Sequence, residues 1–343
     1  MKHYLYAFVF LVSLFVKAQP SDFKHIDFKK ADSIAHALHH ASLNNLPFLA
    51  HKLTSNLNTQ VEQFRAIHTW VCDNIEADHY FGEKTIRKRK KFKNDSIAFA
   101  TWNKEALTGL FKRLLEDKKT ICSGYAYIIK ELSSLVGITC QVIDGYSRTV
   151  NTNLHELEIP NHSWNAVKLN DKWYLVDATL ASGFYFINEA QFVKDYNDGY
   201  FLAAPQLFAK NHYPLDKAWL LTDDGTPTIN QFVEGPLIYG KTYKHNVIPM
   251  APKTMIIQVL TGEEVEFSLK VTDRNQIDTM GLIVSSGFKY DAFKASKTHD
   301  NNGLLKFNYR FTKKGRYDVH IKVDKDVVAS YTVEVEKPKK DLL

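Results

Sequence analysis

The sequence predicts an α+β protein in which helical segments come first and strands follow. Two strand patterns joined by a short turn lie between residues 163 and 178. From about residue 246 the pattern changes to short alternating stretches separated by turn residues, which indicates an all-β part of immunoglobulin type. Before these strands, apolar residues recur at helical spacing in residues 21–57, 60–75, 107–115 and 122–136.

The N-terminus is typical of a secretory signal peptide, so a secreted or periplasmic location is expected. After a basic start, residues 4–16 are apolar except for Ser13, and Ala18 offers a small residue for cleavage. Thirteen residues are too few to span a bilayer, although an uncleaved membrane anchor stays an alternative. No other stretch is long and apolar enough to cross a membrane, so we do not expect an integral membrane protein.

Length and composition indicate a globular chain of more than one unit. With 45% hydrophobic and 13% aromatic residues, the 343-residue chain has enough apolar material for packed cores. The part after the signal peptide is long for one core. The predicted division is a signal peptide (1–18), an N-terminal helical extension (19–58), a first domain (59–185), an irregular wrapping segment (186–245) and a β-sandwich (246–337).

The net charge of +6 arises from one local run of basic residues. Residues 84–93 hold seven of the 44 basic residues, and the 37 that remain nearly balance 38 acidic ones. A nucleic-acid-binding face is therefore not expected. We interpret the run as a solvated surface loop, with contact to an acidic glycan, a lipid headgroup or the substrate as the alternative.

Three cysteines are too few for a disulfide framework, and an odd number leaves at least one free thiol. Cys72 and Cys140 either pair or are separate core thiols, and we favour core thiols. Cys122 is the candidate reactive residue. It precedes apolar positions at helical spacing that end at Gly137, so it lies in the first turn of a helix. There the helix dipole and the free amides favour an anion and lower a thiol pKa.

Other local signals place the remaining helices. Thr59 and Glu62 form a capping box that opens a helix whose apolar stripe includes Phe64 and Val71. Asn103 is a candidate cap for the next helix, and residues 117–120 form the turn that leads to Cys122.

The strands after the Cys122 helix predict where an imidazole and a carboxylate lie. The pair Asn170-Asp171 favours a two-residue hairpin turn. In that register His162 lies opposite Thr179 and Trp164 lies opposite Asp177, which makes His162 and Asp177 diagonal neighbours on one face. A change of one residue in loop length would put them on opposite faces.

Four motifs, taken together, resemble the transglutaminase-like superfamily, in its kyphoscoliosis-peptidase-type branch. The helix at 66–75 resembles the one that precedes the nucleophile in that family. Cys-Ser-Gly-Tyr-Ala at 122–126, His-Ser-Trp-Asn at 162–165 and Trp-Tyr-Leu-Val-Asp-Ala-Thr at 173–179 follow it in order. The resemblance covers residues 59–183, about a third of the chain.

The resemblance implies an α+β, papain-like transglutaminase core in which Cys122 is the nucleophile, His162 the base and Asp177 the orienting carboxylate. Such proteins form a thioester and pass the acyl group to an amine or to water. Trp102, Ser123 and Trp164 are further candidates for the oxyanion hole or the cleft. No calcium-loop pattern of spaced carboxylates is present, so calcium control is not expected. No cofactor and no other metal is expected either.

Each candidate also has a structural alternative. Cys122 can be a buried core thiol, His162 a strand histidine bonded to the backbone, and Asp177 a turn cap at the end of a strand. The histidine cluster at 36–40 lacks a matching carboxylate or cysteine pattern for a metal site.

Two function classes follow from these readings. The first is a secreted acyltransferase or peptidase acting on protein or peptide. The second is a degenerate scaffold that binds a protein or cell-surface partner. In either case the β-sandwich is the candidate surface for a cell-surface or cell-wall partner. The complete set of three residues favours the enzyme.

Overall fold

A computed structural model describes residues 20–149, 152–222, 225–271, 279–287, 289–294, 298–299 and 304–338. The predicted signal peptide lies outside these residues. The α-helices of the described part are α1 (Lys29–Ala37), α2 (Leu46–Thr54), α3 (Gln60–Asn74), α4 (His79–Phe92), α5 (Ser96–Asp117), α6 (Cys122–Leu135), α7 (Ala178–Ser182), α8 (Pro205–Phe208), α9 (Ile229–Glu234) and α10 (Gly240–Lys244).

Along the described part of the chain, the first nine strands are interspersed with these helices and the last nine follow them. They are β1 (Glu76–Ala77), β2 (Lys119–Thr120), β3 (Cys140–Ser147), β4 (His162–Leu169), β5 (Lys172–Val176), β6 (Gly183–Phe186), β7 (Gln191–Lys194), β8 (His212–Pro214), β9 (Leu237–Ile238), β10 (Val247–Ala251), β11 (Ile256–Leu260), β12 (Glu264–Val271), β13 (Met280–Ser286), β14 (Lys289–Lys294), β15 (Thr298–His299), β16 (Leu304–Arg310), β17 (Gly315–Val323) and β18 (Asp326–Glu336).

Helix α3 is the central helix of the N-terminal half. The predicted capping box is confirmed: the Glu62 amide donates to Thr59 Oγ1 at 3.3 Å, and Thr59 N donates to Glu62 Oε2 at 3.0 Å. Most of α3 is buried, because α1, α2 and α6 pack around it. Arg65 also ties α3 to α1 through a 2.6 Å ion pair with Asp32. The helices that precede residue 59 therefore share the core of those that follow.

The basic run is helical, so the prediction of a surface loop was wrong. Residues 84–92 lie in α4, which begins after Asp78, whose side chain accepts from the Phe81 amide at 2.9 Å. Lysine and arginine are good helix formers, and charge alone does not indicate a loop. The cap predicted at Asn103 is also wrong. Asp95 caps α5 by accepting from the Ala98 amide, and Asn103 lies within that helix.

A four-stranded sheet with the order β5-β4-β3-β8 carries the hairpin. The predicted turn is confirmed: Leu169 pairs with Lys172, and Asn170 and Asp171 have φ of 48° and 62°, as a type I′ turn requires. The helix before this sheet, α6, ends as predicted, with Gly137 at φ 76°. Asn165 on β4 donates to the Ala126 carbonyl of α6 at 2.9 Å, which joins helix and sheet.

The segment predicted to be irregular contains short regular elements. One of them, β8, pairs with the end of β3 and so becomes part of the sheet, with Ser147 opposite His212 and Tyr146 opposite Tyr213. Three residues are too few to show a strand period in the sequence, which is why the pattern missed this element.

The C-terminal region consists of two sheets, with the orders β10-β12-β16-β15 and β11-β18-β17-β13-β14. Most pairings are antiparallel, and β11 runs parallel to β18. The rings of Phe267 on β12 and Tyr331 on β18 pack against each other with centroids 5.3 Å apart, so both sheets contribute to one core. Across the described ranges, none of the helices has both the length and the apolar character needed to span a bilayer.

Candidate active site

Cys122 is the first residue of α6, as the sequence predicts. The residue before it, Ile121, is extended and provides no side-chain cap, so the amides of the first turn are not occupied by a capping group. Cys122 as a whole residue is half-buried. The 14-residue helix α6 begins at Cys122, and the N-terminal end of this helix favours the thiolate over the thiol.

Gly124 allows the chain to approach itself closely at this point. A Cβ atom on Gly124 would lie 1.9 Å from Oγ1 and 2.9 Å from Cβ of Thr120, two residues before the cysteine. Only glycine fits there without moving Thr120, which is buried. The glycine of the 122–126 motif therefore fixes the path of the chain into Cys122.

His162 and Asp177 lie side by side at one end of the hairpin. Nε2 of His162 is 2.6 Å from Oδ2 of Asp177, and their side chains are 8% and 0% exposed. The pairing of β4 and β5 ends at Asn165 and Val176, one residue before Asp177. His162 and Asp177 therefore both lie beyond the paired residues, and their side chains meet on the face that the register predicts.

Cys122 completes the group through a side-chain hydrogen bond with His162. Because Nε2 of His162 faces Asp177, Nδ1 is the nitrogen left for the thiol. The main-chain amide of Ser163 also donates toward the Cys122 sulfur. The structure therefore brings together the three residues that the sequence singles out.

The electrostatics of this group favour a thiolate and an imidazolium. Burial raises the pKa of Cys122, but the hydrogen bond and charge of His162 and the Ser163 amide lower it further, so the net shift is downward. Burial lowers the pKa of His162, whereas the charge and hydrogen bond of Asp177 raise it, with a net value of about 10. Burial likewise opposes ionisation of Asp177, but His162 and His212 together hold the pKa of that carboxyl below its usual range.

His212 is a fourth member of the group, and the sequence analysis did not identify it. Its Nε2 lies 2.9 Å from the same Oδ2 of Asp177. It follows Asp177 by 35 residues and comes from the short strand β8. The only signal in the sequence is a histidine beside aromatic residues at 212–213, which many core segments share.

The other predicted residues lie around the group in different ways. Trp164 is buried and stacks behind His162, with ring centroids 6.1 Å apart, so it supports the imidazole from the core side. Ser123 is partly exposed, one residue along α6. The ring contacts of Trp102 are with Phe92 and Phe99, and its role as an oxyanion donor stays a prediction.

The remaining cysteines differ from Cys122. Both Cys72 and Cys140 are free and buried, as the sequence analysis favoured, and burial raises the pKa of each thiol. Sγ of Cys72 lies 3.8 Å from a ring nitrogen of His68, but burial lowers the pKa of that histidine to about 3. This second cysteine–histidine pair is therefore neutral.

One group of possible metal ligands occurs among the described residues: His162, Asp177 and His212. Their contacts of 2.6 and 2.9 Å are those of imidazole N–H groups donating to a carboxylate. Hydrogen bonding thus accounts for the arrangement without a cation. In the 36–40 cluster, His36 instead pairs with Asp73 at 2.7 Å.

Comparison with known proteins gives a family match and several relatives. A sequence model of the transglutaminase-like superfamily matches residues 47–178. The chain is 29% identical over 241 residues to kyphoscoliosis peptidase of Homo sapiens, which covers 69% of this chain and 33% of that protein. It is 24% identical over 238 residues to Hillarin of Drosophila melanogaster, which covers 65% of this chain and 26% of that protein. The chain thus spans about a third of the length of kyphoscoliosis peptidase.

Residues 47–178 therefore belong to the transglutaminase-like superfamily, and the chain is similar to its kyphoscoliosis-peptidase-type branch. Among solved structures, the Lin-41 filamin domain is 14% identical with a TM-score of 0.22. The match covers 30% of this chain and 99% of that domain's chain. That likeness is too slight to bear on the fold.

Proposed function

We propose that the protein is a secreted thiol enzyme that forms a thioester with a protein or peptide, as a transglutaminase-type acyltransferase or a peptidase. One observation carries the proposal: Cys122, the first residue of α6, is hydrogen-bonded to His162, whose Nε2 lies 2.6 Å from Oδ2 of Asp177. This arrangement lowers the pKa of Cys122 and raises that of His162. A thiol and an imidazole shifted in these opposite directions exchange a proton at neutral pH, which supplies the nucleophile that acyl transfer needs.

In the proposed reaction, Sγ of Cys122 attacks the carbonyl carbon of a glutamine side chain or a peptide bond. The Cys122 main-chain amide and one further donor stabilise the oxyanion. His162 then donates its Nδ1 proton to the departing nitrogen, the C–N bond breaks, and a thioester remains. An amine or water next gives a proton to His162 as it attacks the thioester, and the thiolate leaves. Asp177 stays ionised and holds the imidazole in place.

The N-terminus and the C-terminal sheets bear on where the protein acts. The apolar run at residues 4–16 supports export. The two C-terminal sheets are compatible with an immunoglobulin-type sandwich, which we propose as the surface that meets a cell-surface or cell-wall partner. The name of kyphoscoliosis peptidase supports hydrolysis as one outcome at the thioester.

The first test is the pH dependence of Cys122 alkylation, read by peptide mass spectrometry in wild type and in His162→Ala. We expect alkylation of Cys122 well below the free thiol pKa of about 8.5, and its loss in the variant. Cys72 and Cys140 are internal controls in the same digest, because burial raises the pKa of both. Ordinary thiol chemistry at Cys122, unchanged by the variant, would instead indicate a binding scaffold.

Turnover assays distinguish acyl transfer to an amine from hydrolysis. Wild type and Cys122→Ala are compared in three assays: ammonia release from a glutamine peptide, incorporation of a labelled amine, and peptide cleavage. Loss of all turnover in a folded Cys122→Ala variant is expected. Substantial residual turnover would contradict the assignment of the nucleophile.

A further inference from the structure

His212 occupies a defined place between three elements of the sheet. It begins β8, which pairs with the end of β3, and β3 in turn pairs with β4, where Gly145 lies opposite His162. A Cβ on Gly145 would lie 2.3 Å from the Tyr213 carbonyl oxygen, so glycine at this position allows β8 to approach. The imidazole of His212 thereby reaches the carboxylate at the end of β5.

Packing fixes the orientation of the His212 ring. The ring stacks on Phe208 with centroids 3.7 Å apart and planes inclined by 16°. Its edge meets Trp164, whose centroid is 5.1 Å away, and the side chain is 0% exposed. With no freedom to turn toward solvent, the ring keeps Nε2 directed at Asp177.

The chemistry of the contact is that of a neutral donor. Burial lowers the pKa of His212 and the positive charge of His162 lowers it further, whereas the hydrogen bond and charge of Asp177 and the main-chain carbonyl of Phe208 raise it in part; the net shift is downward. Asp177 and His162 are the charged groups that act on the ring. An ionised carboxylate only accepts hydrogen bonds, so the proton of the neutral ring is on Nε2.

Asp177 therefore receives three hydrogen bonds but faces only one cation. Oδ2 accepts from His162 and His212, and Oδ1 accepts from the Leu180 amide at 3.0 Å. A neutral second donor holds the carboxylate without competing for its negative charge, which remains available to the His162 imidazolium.

We propose that His212 is a positioning residue for the candidate site: it donates from Nε2 to Asp177 Oδ2 and thereby fixes the carboxylate that orients His162 toward Cys122. The inference rests on the proposed function, because it concerns how the reactive pair is maintained. It adds a residue from outside the part matched to the superfamily model, which ends at residue 178.

The test compares His212→Phe, which keeps the ring stacked on Phe208 but removes the donor, with His212→Gln, which retains an N–H donor. The matched control is His245→Phe. Nε2 of His245 lies 2.9 Å from Oδ2 of Asp326, the same kind of contact between two residues that are not part of the candidate site. Cys122 alkylation is followed from pH 5 to 9, and thermal unfolding and circular dichroism establish that each variant is folded.

We expect the rate of Cys122 alkylation at pH 6 to fall roughly tenfold in His212→Phe, which corresponds to the loss of one hydrogen bond to a charged group. His212→Gln should recover part of the loss, and His245→Phe should match wild type. Unchanged or faster alkylation in folded His212→Phe would overturn the proposal.

A second measurement applies if His212→Phe does not fold. Imidazole ¹⁵N–¹H correlation spectra of the wild type report the tautomer of each histidine. A proton on Nε2 of His212 is expected at neutral pH, and a neutral ring with its proton on Nδ1 would overturn the proposal. Ordinary Cys122 reactivity in the wild type would contradict the proposed function itself. A reactive Cys122 that depends on His162 but not on His212 would contradict the positioning role alone.

Discussion

The carboxylate of Asp177 faces His162 with one oxygen and caps helix α7 with the other. Oδ2 lies 2.6 Å from Nε2 of His162, while Oδ1 accepts from the Leu180 amide at 3.0 Å. From the sequence, an orienting carboxylate and a strand-end cap are alternatives for this residue. In the structure they are compatible, because the cap holds the side chain in the position from which it contacts the imidazole.

Asp177→Asn tests this dual contact. One amide oxygen cannot serve both sides, and its NH₂ group must face either the Leu180 amide or the two imidazoles. We expect Cys122 alkylation at pH 6 to fall at least tenfold, with a loss of about 1–3 kcal/mol in the free energy of unfolding. Chemical denaturation and alkylation rates measure the two effects.

Asp95→Asn is the control for that substitution. Asp95 caps α5 through the Ala98 amide and has no imidazole partner in the candidate site. Asparagine and aspartate cap helices about equally well, so little change is expected in stability or reactivity. Wild-type alkylation in Asp177→Asn would show that the carboxylate charge does not maintain the reactive pair.

The pH dependence of turnover should differ from that of alkylation. Alkylation needs only the thiolate, so its rate falls on the acid side as the lowered pKa of Cys122 is crossed. Turnover also needs the His162 imidazolium, whose pKa is raised to about 10. We therefore expect turnover to fall again above about pH 10, while alkylation does not. If turnover and alkylation had the same dependence on pH in the alkaline range, His162 would not be the proton donor.

The same shift predicts a change in stability. Because the folded-state pKa of His162 is raised, its contribution is fully present below the unfolded value of about 6.5 and is lost as pH rises through about 10. The difference in unfolding free energy between wild type and His162→Ala should therefore narrow across that interval. A difference independent of pH would indicate that His162 is not stabilised as a cation.

Removal of metal ions should leave the site unchanged. His162, Asp177 and His212 are close enough to bind a cation, but the 2.6 and 2.9 Å contacts are those of hydrogen bonds. Dialysis against a chelator is expected to have no effect on Cys122 alkylation. Loss of reactivity that added Zn²⁺ restores would instead indicate a metal held by these three side chains.

How much of the site can be predicted from sequence depends on how local its determinants are. The turn at Asn170-Asp171 fixes the hairpin register through two adjacent residues, so the common face of His162 and Asp177 is predictable. The position of Cys122 follows from one helix. His212 depends on the pairing of a three-residue strand with β3, which no local pattern indicates.

The misread parts of the fold have a similar cause. The charge of residues 84–93 suggests a loop, but residues 84–92 lie in α4, whose residues include good helix formers and whose start is capped by Asp78. The start of α5 was placed at Asn103 because that residue type is common at caps, although Asp95 fulfils the same role eight residues earlier. Composition indicated neither boundary, because both depend on which of several polar residues the helix end contacts.

Gly124→Ala tests whether the approach of α6 to Thr120 sets the position of the nucleophile. The added methyl group would lie 1.9 Å from Oγ1 and 2.9 Å from Cβ of Thr120, which is buried, so Thr120 or the first turn of α6 must shift. Since Cys122 is in that turn, we expect alkylation at pH 6 to fall and the unfolding free energy to drop by about 1–3 kcal/mol.

Gly109→Ala is the matched control. A Cβ atom on Gly109 would have a Phe81 ring atom as its nearest neighbour, at 3.9 Å, and alanine in the α5 interior should stabilise the fold by up to about 1 kcal/mol. Wild-type reactivity in Gly124→Ala would mean that α6 tolerates the shift without moving the sulfur away from His162.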